Sequence, residues 1–370
     1  LFLVLVRLWY LQVDQGDRFV EKARNQHQGI IEIRADRGEI SDRFGEKLAF
    51  STPVESIAVF PSQIQNPEIT ARLLANVLGM DRRLLDRKLA KRQFQFVKRL
   101  AEPGEAERVR NLNLIGIHFE KESKRYYPQG TVASHILGAV GVEHRGLAGL
   151  EQTFDDPLQG QPGKRLVHYD ARRSRYAGIT LEGSIPGAKL VLTIDQRIQM
   201  VAEVELARAV GETGASAGTI VIMDPHNGEL LAVANWPTFN PNEPARNRRD
   251  LKRRKNFALS TLFEPGSSLK AVTVAAALEE NLTNPDEVLD CEMGAIYVGG
   301  RRIRDYRPFG ELSVSEILAK SSNVGTVKLG LRLGDRTLHR YLVRFGFGQK
   351  TGLPLPGETA GLLRSPEHWQ

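Results

Sequence analysis

The chain has 370 residues, which is more than one hydrophobic core usually supports, so we expect two or three domains. Apolar residues make up 41% and charged residues 26% of the sequence, the balance of a folded, water-facing protein. The net charge of +7 is compatible with an anionic binding partner. The sequence has no zinc-finger spacing and no aromatic RNA-binding motif, so we expect no nucleic-acid partner.

The first residues combine an apolar run with a cation and aromatic rings. Residues 1–6 are all apolar, Arg7 follows, and Trp9 and Tyr10 come directly after it. Six residues cannot cross a bilayer, which takes about 20, whereas cations and aromatic rings are typical of the membrane–water boundary. We therefore interpret residues 1–13 as the end of a transmembrane helix, with an ordinary buried helix start as the alternative.

The next segments predict helix, then strands, then helix again. A polar amphipathic pattern continues the first helix over about residues 14–30. Apolar and polar residues alternate in part of the segment 30–45, which predicts strands, and the glycines there predict turns. Apolar residues at three- and four-residue steps predict helix over residues 68–113, and the basic residues between Lys88 and Arg99 indicate a solvated helix face.

The middle of the chain is rich in strand signals. Residues 114–195 are Gly-rich and mixed, and their last strand, which starts at Leu190, ends at a helix cap, Asp195. The clearest hairpin joins residues 218–223 to residues 229–235 through an Asn-Gly turn. This hairpin predicts an antiparallel sheet in the second half of the chain.

A basic cluster follows a loop rich in Pro and Asn, and Asp250 is the only opposing charge within it. We interpret the cluster as a solvated loop; contact with anionic lipid headgroups or with a pyrophosphate-bearing substrate is the functional alternative. The cations are Arg246, Arg248, Arg249, Lys252, Arg253, Arg254 and Lys255.

Cysteine and histidine placement argues against disulfides and metals. The single cysteine, Cys291, excludes an intrachain disulfide framework, and it has no base-like neighbour, so we interpret it as a small, partly buried apolar residue. The eight histidines lack metal-ligand spacing, and no Gly-rich stretch has the phosphate-loop pattern. We expect no metal and no cofactor.

Ser267 and Lys270 share one face of a predicted helix that begins near Glu264. A serine hydroxyl is a poor nucleophile until a base takes its proton, and a lysine becomes such a base when burial lowers its pKa. Free N–H groups at a helix start also stabilise a developing oxyanion. Ser-x-x-Lys alone is weak support, because it arises often by chance; the Pro-Gly turn before it and the small-residue helix after it strengthen it.

A second polar element, Ser321-Ser322-Asn323, lies between predicted helices over residues 314–320 and 324–333. A hydroxyl and an amide on this short turn could face Ser267 and Lys270. Taken alone, the element is a helix cap.

In this order and 54 residues apart (321 − 267), Ser267-Ser268-Leu269-Lys270 and Ser321-Ser322-Asn323 resemble the first two motifs of the penicillin-binding protein and serine β-lactamase superfamily. Other segments are similar to class B penicillin-binding proteins, and within class B to the division-specific, FtsI-like enzymes. These segments are Arg37–Arg43, Tyr127-Pro128, His135–Gly138, Gly149–Glu151, Phe154-Asp155, Leu158–Gly163, Thr193–Asp195, residues 218–235 and Phe345–Glu358.

The resemblance implies a D,D-transpeptidase that crosslinks peptidoglycan stem peptides through a serine acyl-enzyme in septal cell-wall synthesis. By the resemblance, Ser267 is acylated by the penultimate D-Ala and Lys270 deprotonates it. Ser321 relays the proton to the leaving amine, and Asn323 holds the substrate amide and orients Lys270. A β-lactam would acylate the same serine.

The resemblance also implies partners and a location. The partners are the stem peptides and their lipid-linked precursor, β-lactam antibiotics, a membrane-embedded glycosyltransferase of the SEDS type, and other division proteins. The implied location is the bacterial inner membrane, with a single N-terminal anchor and the bulk of the chain on the periplasmic side.

The family's third motif, Lys-Thr/Ser-Gly on a strand, is matched in letters by Lys350-Thr351-Gly352. We interpret this match as a decoy, because it lies only 27 residues after Asn323 (350 − 323) in a segment without a strand signal, whereas the family places the motif well over a hundred residues downstream. The sequence therefore predicts that the true third motif lies beyond residue 370.

The expected fold class is α+β and multidomain. Residues 1–13 are the remnant of a transmembrane helix, and residues 14–185 form an elongated, mixed α/β pedestal of the dimerisation type. Residues 186–370 form a transpeptidase domain, an antiparallel sheet flanked by helices, which we expect to be incomplete at its C-terminus.

Two alternatives to the transpeptidase remain. One is a hydrolase of the same superfamily, a β-lactamase or a penicillin sensor, although those proteins lack a long pedestal. The other is a non-catalytic division protein in which the pedestal docks partners.

Overall fold

The computed structural model describes residues 2–18, 28–91, 93–169 and 175–369. It divides the chain into two compact units, Leu1–Lys255 and Asn256–Gln370. Each unit mixes helices with short sheets. The domain boundary between residues 185 and 186 stays a prediction.

The chain starts with α1 (Phe2–Trp9) and continues through a π-helical turn, Tyr10–Asp14. Within the described ranges no helix is both long enough and apolar enough to span a bilayer. Most of the helix predicted over residues 14–30 falls on residues 19–27, which lie outside the described residues. Its last residues were predicted wrongly, because Gln28 opens a strand that pairs along its whole length with residues 163–168.

The first unit contains both helices and strands. Its other helices are α2 (Pro67–Leu78), α3 (Arg82–Leu89), α4 (Pro103–Arg110), α5 (Ser134–Leu137), α6 (Gly149–Thr153), α7 (Asp155–Gln159), α8 (Gln196–Thr213) and α9 (Arg248–Arg253). Its strands are β1 (Gln28–Ile33), β2 (Ile40–Ser41), β3 (Lys47–Val59), β4 (Gln95–Ala101), β5 (Ile117–Tyr126), β6 (Ala139–Val140), β7 (Gly146–Ala148), β8 (Gly163–Tyr169), β9 (Arg175–Glu182), β10 (Leu190–Val191), β11 (Gly218–Met223) and β12 (Leu230–Trp236).

The long strand β3 organises the main sheet of the first unit. It pairs antiparallel with β2, β4 and β5, and β2 pairs in parallel with β10. Three further strands form the antiparallel sheet β1-β8-β9. Helices α2, α3 and α4 cover one face of the main sheet, where Ile57, Leu74 and Leu85 are fully buried.

The strand β4 lies inside the segment for which the sequence predicted continuous helix. Helices α2 and α3 confirm the first part of that prediction, but residues 95–101 pair with β3. In the sequence, the basic residues of this segment continue the charge pattern of the preceding helices. In the structure, Val97 and Ala101 of β4 are buried against those helices. Pairing with β3 therefore decides the structure here, since propensity is a weak prior.

The end of the first unit follows the sequence prediction closely. Strands β11 and β12 form the predicted antiparallel hairpin, and α8 packs on β12. Asp195 caps α8, since its carboxylate accepts hydrogen bonds from the N–H groups of Arg197 and Ile198. The cations of the basic cluster are exposed as predicted, except for the half-buried Arg254, and residues 248–253 form the short helix α9 rather than a loop.

The second unit is built around one helical core. Its helices are α10 (Phe257–Ser260), α11 (Leu269–Glu279), α12 (Val314–Ala319), α13 (Asn323–Leu333) and α14 (Asp335–Arg344), and its strands are β13 (Val288–Asp290), β14 (Ala295–Val298), β15 (Arg301–Arg304) and β16 (Glu311–Ser313). The strands pair antiparallel as β13-β16 and β14-β15. Ala276 of α11, Ile317 of α12 and Leu329 of α13 are fully buried together. Cys291 is fully buried in the same cluster, which confirms its apolar role.

Candidate active site

Ser267 lies in a tight turn that leads into α11. The turn, Gly266–Ser268, is a 3₁₀ helix, and Gly266 has a φ of 60°, a left-handed conformation that glycine adopts without strain. The Ser268 hydroxyl donates to the Pro265 carbonyl at 2.7 Å and fixes the turn. Ser267 itself is exposed, and within residues 256–369 its hydroxyl makes no hydrogen bond. Its oxygen is therefore free to meet a substrate.

Lys270 lies one helical turn after Ser267, in the first turn of α11, and is 9% exposed. Its Nζ donates to the carbonyl oxygen of Ser321 at 2.5 Å and lies 2.9 Å from the Ser321 hydroxyl oxygen. Burial lowers the pKa of Lys270, and the nearby charge of Asp305 opposes that effect. A larger fraction of neutral lysine, the form that accepts a proton, therefore exists near neutral pH.

The second polar element forms the predicted turn between α12 and α13. Ser321 has a φ of 55°, an uncommon conformation for a residue with a side chain. Ser322 is fully buried and caps α13, because its hydroxyl accepts from the Gly325 N–H at 3.0 Å. Ser321 and Asn323 flank this capping residue, and Ser321 contacts Lys270.

Asn323 starts α13, and its side-chain amide donates to the carbonyl of Arg304 at 2.6 Å. The structure thus brings Lys270 and Ser321 into direct contact and ties Asn323 to the end of β15. Within the described residues we find no hydrogen bond between Ser267 and Lys270 or between Asn323 and Lys270. Ser267 is linked to Lys270 by sequence, because the 3₁₀ turn that contains it leads directly into α11.

Asp305 is the residue at this site that the sequence analysis missed. Its carboxylate accepts from the Ser322 hydroxyl at 2.8 Å, from the N–H of Val324 at 3.2 Å and from the N–H of Asn323. It lies 18 residues before Asn323 (323 − 305) with no motif around it. It directly follows β15, and its N–H donates to the Gly294 carbonyl at 2.9 Å beside the β14–β15 hairpin.

Two further sequence predictions concern Cys291 and residues 350–352. Cys291 Sγ lies 3.6 Å from the Ser322 hydroxyl oxygen, and burial raises the pKa of the thiol, which favours the thiol over the reactive thiolate. Residues 350–352 form no strand, as predicted. Instead, the N–H and hydroxyl of Thr351 donate to Glu358 at 2.7 Å and 2.5 Å, which closes a loop.

Comparison with known proteins assigns both halves of the chain. Residues 218–369 match the model of the penicillin-binding protein transpeptidase domain, and residues 32–192 match the model of the penicillin-binding protein dimerisation domain. A solved complex between penicillin-binding protein PBP2 and MreC from Helicobacter pylori has a similar fold, with a TM-score of 0.74 and 23% identity over 91% of this chain and 69% of that chain.

Two curated relatives are similar over nearly the whole chain. The chain is 35% identical to the probable peptidoglycan D,D-transpeptidase PenA of Neisseria meningitidis serogroup A, over 99% of this chain and 64% of that protein. It is 34% identical to the peptidoglycan D,D-transpeptidase FtsI of Escherichia coli K12, over 99% of this chain and 63% of that protein. The chain thus spans less than two thirds of the length of either relative.

The fold is therefore a mixed α/β arrangement of a dimerisation domain and a transpeptidase domain. Because the two domain models together match residues 32–192 and 218–369, the chain belongs to the penicillin-binding proteins, as its motifs predicted.

Proposed function

We propose that the protein is a serine-type peptidoglycan D,D-transpeptidase and a target of β-lactams. The contact between Lys270 Nζ and Ser321 carries this proposal, because it joins the predicted base to the predicted proton relay at 2.9 Å. The family model and the names of both relatives support the same activity.

In the proposed reaction, Ser267 Oγ attacks the carbonyl carbon of the penultimate D-Ala of a stem peptide. The proton of Ser267 passes to neutral Lys270 and then through Ser321 to the amine of the terminal D-Ala, which leaves as its C–N bond breaks. An amine of a neighbouring stem peptide then attacks the acyl carbon and forms the crosslink as the ester bond to Ser267 breaks, while the proton lost by the amine passes through Lys270 back to Ser267 Oγ.

Asn323 is proposed to hold the amide of the substrate. Its amide nitrogen donates to the Arg304 carbonyl, so the orientation of the side chain is set before a substrate arrives. The N–H groups at the start of α11 are proposed to stabilise the oxyanion.

The proposal includes an N-terminal membrane anchor at residues 1–13, a pedestal over residues 14–185 and a transpeptidase domain over residues 186–370. It places the bulk of the chain on the periplasmic side of the inner membrane. Its partners are the stem peptides and their lipid-linked precursor, a SEDS-type glycosyltransferase and other division proteins. The match of residues 32–192 to a dimerisation domain supports a transpeptidase over a β-lactamase or penicillin sensor, which lack a long pedestal.

The test is covalent labelling of the full-length protein with a fluorescent penicillin. The wild type should form an adduct that survives denaturation and persists for many minutes, because a transpeptidase deacylates penicillin slowly. Ser267→Ala should form none. Labelling that persists in Ser267→Ala would contradict the assignment, and release of the adduct within seconds would favour a hydrolase.

A further inference from the structure

The carboxylate of Asp305 is the centre of a small hydrogen-bonded assembly at the start of α13. One oxygen, Oδ2, accepts from the Ser322 hydroxyl at 2.8 Å. The other, Oδ1, accepts from the backbone N–H groups of Asn323 and Val324. Three donors from three consecutive residues therefore converge on one side chain that comes from a different part of the chain.

These donors belong to the turn that carries the proposed relay and the proposed amide holder. Ser321 immediately precedes them with a φ of 55°, a conformation that the surrounding contacts must maintain. In that conformation both its carbonyl and its hydroxyl meet Lys270 Nζ, at 2.5 Å and 2.9 Å. Fixing residues 322–324 therefore also fixes the oxygens that Lys270 contacts.

Asp305 is itself held in place on both sides. Its backbone N–H donates to the Gly294 carbonyl at 2.9 Å, and the preceding residue, Arg304, pairs with Ala295 in the β14-β15 hairpin. The Arg304 carbonyl accepts from the side chain of Asn323. Two adjacent residues thus connect the hairpin to the turn, one through a carboxylate and one through a carbonyl.

We propose that Asp305 is a positioning residue for acylation: its carboxylate locks the turn of Ser321, Ser322 and Asn323 and sets the charge around Lys270. This inference rests on the proposed transpeptidase function. Asp305 acts through the turn and through its field, since the hydrogen bonds that its carboxylate accepts within the described residues come from residues 322–324 and not from Ser267.

The electrostatic part of this role comes from the carboxylate of Asp305. Helices α12, α13 and α14 pack around α11, and the negative charge of Asp305 opposes the lowering of the Lys270 pKa by burial. Four cations on or next to these helices form ion pairs of their own: Lys320 with Glu316, Lys328 with Glu292, Arg332 with Glu287 and Arg340 with Glu280. Removing the negative charge of Asp305 should therefore shift Lys270 further from the protonated to the neutral form, in addition to the effect of burial.

Two substitutions separate position from charge. Asp305→Asn is isosteric: its carbonyl oxygen can replace Oδ1, and its amide can donate to the Ser322 hydroxyl oxygen, so the turn is kept while the charge is lost. Asp305→Ala removes both the charge and the hydrogen bonds that hold the turn. A catalytic group that is displaced by such a change typically costs about 10²-fold in rate. Ser313→Ala is the matched control, because Ser313 caps α12 in the same unit but does not contact Lys270.

The experiment measures the acylation rate by penicillin against pH in the full-length wild type and the three variants. Asp305→Ala should acylate about 10²-fold more slowly. Asp305→Asn should stay within about tenfold of the wild type at neutral pH, and the acidic limb of its profile should move to lower pH, because neutral lysine persists there. Ser313→Ala should match the wild type in rate and in profile.

A second readout does not depend on activity. The titration of Lys270 Nζ is followed by ¹⁵N NMR in lysine-labelled protein, with the resonance assigned through Lys270→Arg, and it should move to lower pH in Asp305→Asn. If the wild type fails to acylate, the proposed function is wrong, while this titration still decides the role of Asp305. An unmoved titration in Asp305→Asn, or acylation of folded Asp305→Ala at the wild-type rate, would overturn the inference.

Discussion

Lys270 combines two properties that a base acting on a serine requires. Burial lowers its pKa, so its neutral form is accessible, and Ser321 holds its nitrogen through two oxygens. The protonated form has no lone pair and cannot accept a proton. Acylation by Ser267 should therefore increase with pH until Lys270 is neutral.

A first prediction concerns Lys270→Arg. The guanidinium can still donate to the Ser321 carbonyl, but it stays protonated at every accessible pH and cannot act as a base. We expect the acylation rate by penicillin to fall by about 10³-fold or more. The circular dichroism spectrum should stay unchanged. A loss of less than about tenfold in the folded variant would contradict the role of Lys270 as the base.

A second prediction at the residue scale concerns pH and stability through His135. Burial lowers its pKa in the folded state, although its hydrogen bond to the Arg253 carbonyl, at 2.8 Å, opposes the shift. In the unfolded chain a histidine titrates at about pH 6.5. Because the folded pKa is lower, the stabilisation is complete above that pH and is lost as the pH falls through the folded value.

The urea midpoint should therefore fall between pH 7.5 and pH 5.5, and the fall should be smaller in His135→Gln, which keeps a donor for the Arg253 carbonyl. The comparison with the wild type removes the contribution of carboxylates, which is common to both proteins. An equal or larger fall in His135→Gln would contradict the prediction.

At the scale of elements, the close approach of α12 to α13 positions the turn between them. Ile317 of α12 is fully buried, and a Cβ built on Gly325 of α13 would lie 2.5 Å from Ile317 Cγ1. Real carbon atoms do not approach so closely, so only glycine fits at this crossing. Gly330, further along the same helix, has room, since its Cβ would lie 3.8 Å from Thr273 Cγ2.

We therefore predict that Gly325→Ala lowers the free energy of unfolding by about 1–3 kcal/mol through overpacking. Gly330→Ala, the matched control, should raise it by about 0.5–1 kcal/mol, because alanine favours helix. Combining Gly325→Ala with Ile317→Ala should cost less than the sum of the two single changes, since the smaller side chain makes room. Equal stabilities of Gly325→Ala and Gly330→Ala in urea unfolding would contradict this account.

The elements that the sequence predicts correctly are those with local signals. The β11–β12 hairpin has an Asn-Gly turn between apolar runs, and Asp195 is a strong helix cap. Strand β4 was mistaken for helix because its pairing with β3 bridges residues about 40 positions apart, and no local pattern encodes that partner. Long-range pairing is what a single sequence reveals least.

The candidate active site likewise combines features that local sequence patterns predict with one that they do not. The pairing of Lys270 with Ser321 follows the two sequence motifs, and the turn between α12 and α13 lies where the helix patterns predict it. Asp305 could not be found in this way, because an isolated acid after a short strand has no distinguishing pattern. Its role depends on how the β14–β15 hairpin folds back on α13.

At the scale of the whole chain, a buried ionic network joins distant segments of the first unit. Glu151 is fully buried and accepts from Arg37 at 2.7 Å and from Arg125 at 2.6 Å. The hydroxyl of Tyr127 lies 3.3 Å from the same carboxylate, and burial raises the pKa of this phenol. Arg37 also reaches Asp155 at 2.7 Å. The network therefore connects the loop before β2 with the end of β5 and with helices α6 and α7.

We predict that Glu151→Gln lowers the free energy of unfolding of the first unit by about 3–5 kcal/mol, since it leaves the buried guanidinium of Arg125 without a charged partner and that of Arg37 with Asp155 alone. The measurement is urea unfolding of the full-length protein. Glu182→Gln is the control: its pair with Lys164 is about half exposed and should matter by less than about 1 kcal/mol. Similar effects of the two substitutions would contradict the structural role of the network.

The most direct test of the central claim is to map the penicillin adduct by mass spectrometry. The full-length protein is incubated with benzylpenicillin, digested and sequenced by fragmentation. Ser267, which is exposed in its turn beside buried Lys270, should carry the whole mass of the penicilloyl group. An adduct on any other residue, or an unmodified Ser267 in labelled protein, would contradict the account.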